Sequence, residues 1–251
     1  MSLVRDHAIT LAVSDYSETS QVVCLLSEGN GLLRVLAKGS KRPRSAFGGP
    51  IDKLQLVQAV FSVRRHGSLG VLAELSVQDD LPGLRRQLDG FYAASYAADL
   101  VQMGMRELDP CREVFSLLRE LLRDLSRGGS SAILLYQFEI RLLRQLGFGP
   151  RLDSCAVCGR KRPPSQGGSF SAEAGGLLCR RCRKQEAGGL TVGGKAIDAL
   201  LFLEGSSRQH TEKVRLSPET ARQVRQLLRS YWAHVLGREP RSTPWVPVAT
   251  G

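Results

Sequence analysis

Apolar and polar residues alternate along the first third of the chain, which is the pattern expected of short β-strands. A turn is predicted at residues 28–31, because Glu-Gly-Asn-Gly between two apolar runs is typical of a β-hairpin. A second turn is predicted at residues 66–68, His-Gly-Ser. The pattern predicts five strands, at residues 9–13, 21–27, 32–37, 54–65 and 69–77.

One connection between these strands is longer than the others. Residues 38–50 hold three Gly, two Pro and two Ser, a composition typical of a loop. Five short strands with one long connection fit a small closed barrel such as the OB-fold, and an SH3-like barrel gives a similar pattern. We therefore expect a β-barrel domain over residues 1–80.

After residue 80 the apolar spacing changes to the three- and four-residue repeat of amphipathic helices. One such helix contains Val114 and Leu125. Asp109 is predicted to cap it, with Pro110 in its first turn. Other segments are a mixed apolar stretch at 84–105, helices at 131–146, 194–203 and 218–236, and a loosely ordered end at 237–251.

These segments together predict an α+β protein. An N-terminal OB-fold β-barrel at residues 1–80 is followed by an α-helical domain at residues 81–251. The helical domain carries a four-cysteine insert at residues 150–190.

The composition is that of a folded globular protein, with 42% apolar and 24% charged residues. Apolar runs are far shorter than the roughly 18 residues that a membrane helix needs. Charged residues near the start do not fit the apolar core of a signal peptide. We expect a soluble cytoplasmic protein with no membrane partner, in which cysteines are reduced or bind metal.

Basic residues outnumber acidic ones by 35 to 24, for a net charge of +11. No acid lies between Glu28 and Asp52. A cluster of this kind is either a solvated loop or a surface that attracts polyanions, and three basic segments in one chain favour nucleic acid. We predict a flexible cationic rim on the barrel that binds DNA phosphates without sequence preference, formed by Arg34, Lys38, Lys41, Arg42 and Arg44.

Four cysteines form two C-x2-C pairs separated by 20 residues. This spacing predicts one structural Zn²⁺, because four thiolate ligands leave no open position for catalysis. Two disulfides conflict with the expected compartment, a redox pair does not explain the duplication, and an iron–sulfur cluster remains open. The proposed ligands are Cys155, Cys158, Cys179 and Cys182, whereas Cys24 and Cys111 are predicted to be packing residues.

Further cations surround these cysteines. They either extend the DNA-binding surface or offset the net −2 charge of a four-thiolate zinc centre, and both readings stay open. The candidates for a second DNA-binding set are Arg160, Lys161, Arg162, Arg180 and Arg181, with Arg183 and Lys184 beside them.

Several segments, taken in order, resemble the RecO family of bacterial recombination mediators. They are YSETS at 16–20, AKGSKRPRS at 37–45, FEIRLLRQLGFGP at 138–150 running into DSC at 153–155, FS at 170–171 with GGLLC at 175–179, and LGR at 236–238 with RS at 241–242. The matches cover nearly the whole chain.

The resemblance implies a non-catalytic protein of DNA repair. It would bind single- and double-stranded DNA, anneal complementary strands and, with RecR, help to load RecA onto DNA coated by single-stranded-DNA-binding protein. The family also implies binding of the acidic C-terminal tail of that protein, for which Arg141 and Arg144 are our candidates, and association with the nucleoid during repair. Aromatic residues are few in the first 80 positions (Tyr16, Phe47 and Phe61), so we expect base stacking to be minor.

Two other classes of function fit parts of the pattern. One is a zinc-ribbon OB-fold protein that binds RNA or acts as a partner-binding scaffold. The other is a nuclease or hydrolase with a site assembled in space, although no phosphate-binding loop, HExxH or GxSxG motif is present. The absence of such motifs favours a protein that is not an enzyme.

Overall fold

The computed structural model describes residues 3–63, 69–184 and 189–249. The predicted turn at residues 66–68 and the end of the predicted strand at residue 65 lie outside these ranges. The chain forms two compact units, Met1–Arg127 and Gly128–Gly251. Within the described residues, none of the helices combines the length and apolar character that crossing a membrane requires.

The first unit contains a closed five-stranded barrel in the order β1-β2-β3-β5-β4. The first strand, β1, pairs with both β2 and β4, and β3 and β5 run parallel. This order is that of an OB-fold, so the predicted fold is confirmed. The strands are β1 Leu3–Asp15, β2 Gln21–Ser27, β3 Gly31–Ala37, β4 Leu56–Ser62 and β5 Gly70–Asp79.

The barrel core explains why the alternating pattern identified its strands. Inward side chains such as Val23, Val35 and Phe61 are fully buried, while Arg34 on β3 points to solvent. The first strand begins earlier than predicted because its N-terminal half pairs with β4 and its C-terminal half with β2. A single strand thus serves two neighbours, which a local pattern does not reveal.

The predicted hairpin turn between β2 and β3 is confirmed. Gly31 adopts a φ of 72°, and a Cβ there would lie 2.4 Å from the backbone oxygen of Asp109. Asp6 accepts hydrogen bonds from the Ser27 hydroxyl, the Gly29 N–H at 2.8 Å and the side chain of Asn30 at 2.8 Å. The turn is therefore fixed by a carboxylate from β1.

Three helices complete the first unit: α1 Pro82–Arg86, α2 Leu88–Gly104 and α3 Arg112–Ser126. The mixed apolar stretch predicted at residues 84–105 is divided between α1 and α2, because the backbone of Gln87 is extended, with a φ of −129°. The predicted cap of α3 is wrong. Cys111, not Asp109, precedes its first turn, and no side chain caps it.

The second unit combines helices with a four-stranded sheet in the order β6-β8-β7-β9. In its helical core, Arg225 donates a hydrogen bond of 2.7 Å to the fully buried carboxylate of Glu139. The predicted cap of the last long helix is confirmed, because the Ser217 hydroxyl accepts from the Thr220 N–H. The elements are α4 Ser131–Gln145, β6 Arg151–Cys155, β7 Gly168–Ser171, β8 Gly176–Leu178, α5 Arg180–Arg183, β9 Leu190–Val192, α6 Gly194–Gly205, α7 Arg208–Thr211 and α8 Pro218–Leu236.

The C-terminal stretch is more ordered than its composition indicated. A short 3-10 helix spans Thr243–Trp245, and Thr243 is buried. The Ala249 N–H lies 3.4 Å from the hydroxyl of Tyr136 on α4. The expectation of a loose end is therefore wrong for the described part of this segment, because hydrogen bonds tie it to the unit.

Candidate nucleic-acid interface and metal centre

The basic loop, residues 38–50, is hydrogen-bonded to the turn that joins β1 and β2. The Gly39 N–H donates to the Ser20 hydroxyl at 3.0 Å, and the Lys41 N–H donates to the Thr19 carbonyl at 3.0 Å. Two separate sequence segments, 16–20 and 37–45, are therefore in contact. The predicted flexible rim is wrong at this end of the loop, which the barrel holds in place.

Gln21 anchors the basic loop a second time. Its side-chain oxygen accepts from the Ser40 hydroxyl and the Ile51 N–H, both at 2.9 Å, and its NH₂ donates to the Ile51 carbonyl. Gln21 and Ser40 are buried, and Phe47 packs against the barrel core. A buried amide with its hydrogen bonds satisfied fixes the path of the surrounding chain.

The five predicted DNA-binding cations fall into two groups. Arg34 pairs with Glu107 at 2.9 Å, and Lys41 pairs with Asp15 at 2.8 Å. These two charges are already partly neutralised within the protein. The other three are exposed and form no ion pair among the described residues: Lys38, Arg42 and Arg44.

The four predicted metal ligands come together in the second unit. Their sulfur atoms all lie within 4.8 Å of one another, and the Sγ atoms of Cys158 and Cys179 are 3.8 Å apart. Zn–S bonds of ~2.3 Å in a tetrahedron place sulfurs about 3.8 Å apart. The cluster therefore can hold a metal ion.

Backbone geometry shapes each cysteine pair. In the first, the Gly159 N–H donates to the Cys155 carbonyl at 2.9 Å, and Gly159 has a φ of 72°. In the second, the Cys179 N–H donates a hydrogen bond to the Cys155 sulfur, with 3.4 Å between nitrogen and sulfur. This hydrogen bond also joins the two cysteine pairs. Cys182 lies within the short helix α5 that follows Cys179, and it is buried with Leu178.

The thiols of the cluster differ in acidity. Burial raises the pKa of Cys155, but backbone N–H groups, led by that of Cys158, outweigh it and lower the pKa to about 6. The hydrogen bond with Cys179, together with burial, raises the pKa of Cys182 to about 12. Without a cation the cluster cannot hold four thiolates, because each negative charge opposes the next. A divalent metal removes that opposition.

The cations around the cysteines also divide into two groups. Arg162 is enclosed, with 9% of its side chain exposed, and its guanidinium binds the Asp198 carboxylate and the carbonyls of Leu152 and Gln166. These bonds occupy the guanidinium within the fold, so a DNA phosphate would have to compete with them. The other cations are exposed: Arg160, Lys161, Arg180 and Arg181, with Arg183 and Lys184 beside them.

The two arginines predicted to bind an acidic tail lie on α4 beside the end of α6. Arg141 donates to the carbonyls of Glu204 and Ser206, and Arg144 pairs with the Glu204 carboxylate. Both guanidinium groups are thus engaged at the C-terminal end of a helix, where carbonyls attract cations. An acidic ligand would have to compete with these contacts.

The two remaining cysteines belong to the first unit and are not members of the cluster. Cys24 is buried in β2, where burial raises the pKa of its thiol to about 12, so it stays protonated. Cys111 precedes α3, with its sulfur 3.6 Å from the Glu113 carboxylate. These positions fit the predicted packing roles.

Family models match both parts of the chain. Residues 1–79 match the model described as Recombination protein O N terminal, and residues 85–244 match Recombination protein O C terminal. The chain belongs to the RecO family. RecO proteins are DNA repair proteins, and the family to which the resembling segments pointed is confirmed.

Individual RecO proteins are similar over almost the full length. The chain is 31% identical over 240 residues to the DNA repair protein RecO of Syntrophus aciditrophicus (strain SB), covering 95% of this chain and 93% of that protein. It is 33% identical over 239 residues to that of Anaeromyxobacter sp. (strain K), covering 95% and 93%. It is 29% identical over 263 residues to that of Rhodopirellula baltica, covering 96% and 97%.

Sequence reasoning missed two residues that shape these surfaces. Gln21 organises the basic loop, and Asp198 holds Arg162 beside the cysteine cluster. The one available signal for Gln21 was a polar residue at the head of an otherwise apolar strand. Asp198 carried no signal, because it lies 36 residues from its partner.

Proposed function

We propose that this RecO protein binds single- and double-stranded DNA through phosphate contacts and anneals complementary strands without a catalytic step. With RecR, it helps to load RecA onto single strands coated by single-stranded-DNA-binding protein. The observation that carries the proposal is a set of three exposed cations on an anchored loop, which form no ion pair with any residue that the structure describes: Lys38, Arg42 and Arg44.

An anchored loop supports phosphate binding better than a mobile one. Hydrogen bonds that the Ser20 hydroxyl and the Gln21 side-chain oxygen accept from the loop hold Gly39 and Ser40, next to Lys38, before DNA arrives, so less conformational freedom is lost on binding. Each cation that contacts a phosphate releases condensed counterions, which provides affinity without sequence preference. Neutralised strands also repel each other less, which favours annealing.

We further propose that the cysteine cluster holds one Zn²⁺ through Cys155, Cys158, Cys179 and Cys182. Bound there, the ion supplies a structural crosslink between the two cysteine pairs. The all-sulfur ligand set and the sulfur spacing support zinc, since carboxylate-preferring cations would find no oxygen ligands in the cluster. The exposed cations Arg160, Lys161, Arg180 and Arg181 form the second proposed DNA surface.

The proposal is tested by replacing Lys38, Arg42 and Arg44 together with Gln. Loss of three phosphate contacts reduces the slope of log affinity against log salt by about 2.7 for duplex DNA and about 2 for single strands. The matched control replaces Arg34 and Lys41 with Gln. It should change the slope less, since these charges are already paired with Glu107 and Asp15.

The same variants are compared in annealing of complementary strands and in RecA loading with RecR on coated DNA. We expect the triple variant to be slow in both assays and the control to be close to the unaltered protein. An unchanged salt slope in the triple variant contradicts the assignment of the basic loop. A stronger affinity of the unaltered protein for structured RNA than for single-stranded DNA favours the RNA-binding alternative instead.

A further inference from the structure

An exposed tyrosine lies at the end of the barrel that carries the basic loop. Tyr16 directly follows β1, and 62% of its surface is accessible. Of the aromatic side chains described in the first unit, it is the one that lies open to solvent, whereas Phe61, Tyr96 and Phe115 are buried. Isolated exposed apolar residues are common, so its surroundings decide whether it matters.

Strand register places Tyr16 near the cations. Asp15 on β1 pairs with Gln21 on β2, and Gln21 pairs with Ala37 on β3. Adjacent strands lie about 4.8 Å apart, so the ends of β1 and β3 are separated by about 10 Å. Tyr16 and Lys38 are the next residues after these two ends, and both are exposed.

The turn that carries Tyr16 is held in place without a ligand. The N–H groups of Tyr16 and Ser17 donate to the Ser20 carbonyl at 2.9 Å and 3.2 Å. The next residue back, Thr19, accepts from the Lys41 N–H in the basic loop. The position of the tyrosine relative to the loop is therefore set by backbone bonds.

The charges around Tyr16 favour an anionic ligand. Asp15 is paired with Lys41, which leaves the exposed Glu18 as the other nearby acid on this turn. The three loop cations that lack an ion-pair partner in the described part of the chain outnumber this acid. An open aromatic face at the same end of the barrel as exposed cations suits a nucleotide, since the base stacks on the ring and the phosphate meets a cation.

We propose that Tyr16 stacks on an unpaired base and gives the barrel a preference for single-stranded over duplex DNA. The proposal rests on DNA binding by the basic loop. It reverses the expectation that stacking is minor, because one accessible aromatic beside the cations is sufficient for it. Duplex DNA gains nothing from Tyr16, since its base faces are covered by neighbouring pairs.

The test compares Tyr16→Ala and Tyr16→Phe in the full chain. The probes are an oligo(dT) of about 16 nucleotides, at the upper end of the site size of one OB-fold, and a duplex of equal length. Tyr16→Ala should lose about tenfold in affinity for oligo(dT) and keep its duplex affinity. Its salt slope should not change, because no phosphate contact is removed. Tyr16→Phe should retain binding, since the ring remains.

Val77→Ala serves as the matched control, because Val77 is another exposed apolar residue on the barrel, at 45% accessibility. Thermal unfolding should be the same for all variants. Equal losses for oligo(dT) and duplex, or no loss for oligo(dT), would overturn the stacking proposal while leaving the charge-based function standing. Failure of the unaltered protein to bind either probe would overturn both.

Discussion

The two basic surfaces of this RecO protein are held in shape by different means. The basic loop of the first unit is anchored by Ser20 and Gln21 and covers a barrel with a large apolar core. The cysteine segment of the second unit has a small core of Cys155, Leu178 and Cys182. A well-packed barrel positions cations by itself, whereas we expect the two cysteine pairs of the second unit to rely on a metal crosslink.

The largest effect is expected in the cysteine segment of the second unit, where we propose a metal crosslink. Cys155→Ser removes a buried ligand, so metal content should fall from about one ion per chain to none. Amide hydrogen exchange should then become fast over residues 151–184 and stay slow over the barrel strands. Stripping the unaltered protein with a chelator should reproduce this pattern.

Cys111→Ser is the control for this experiment, because Cys111 lies outside the cluster. It should retain its metal and its exchange pattern. If Cys155→Ser leaves residues 151–184 protected, the contrast between the two surfaces is wrong, and the sheet alone suffices to hold the segment.

A smaller effect is expected where the barrel holds its loop. Gln21→Ala leaves the Ile51 N–H and the Ser40 hydroxyl buried without their partner, which costs about 1–3 kcal/mol in the free energy of unfolding. Chemical denaturation measures this, and DNA affinity should fall as the loop loosens. Gln78→Ala, at an exposed glutamine of β5, should be neutral. Equal stability of the two variants would show that the anchor is unimportant.

The smallest effect concerns the stability of the β2–β3 hairpin in the barrel, and it depends on pH. Burial raises the pKa of Asp6, but hydrogen bonds led by that of Ser27 outweigh it and lower the pKa below its usual value. A lowered pKa adds stability above the unfolded value of about 4, and this stability is lost as pH falls through the folded value.

Asp6→Asn should therefore unfold more easily than the unaltered protein at pH 7, by about 1 kcal/mol. The difference should shrink below pH ~4, where the carboxyl of the unfolded chain takes up a proton, and it should vanish once the folded carboxyl is protonated as well. Denaturation curves at several pH values measure it. A difference that stays constant down to pH ~2 would show that packing, and not the charge of Asp6, holds the turn.

Features with a short-range signature were predictable. The alternation along β2 and β3 reports one buried face, and the glycine of the hairpin reports a positive φ. The C-x2-C spacing reports two turns, each of which directs two sulfurs to one point. Local backbone preferences and burial determine such features, so residues a few positions apart are sufficient to identify them.

By itself, the sequence determined the barrel, the helices, the cysteine cluster and the family. Only the tertiary structure decided which cations already form ion pairs within the protein. The acidic partners of Arg34 and Arg162 lie 73 and 36 residues away along the chain. It also decided that the basic loop is anchored and that Tyr16 lies beside it. Such contacts arise where distant segments return to one place, and no periodicity within either segment encodes the meeting.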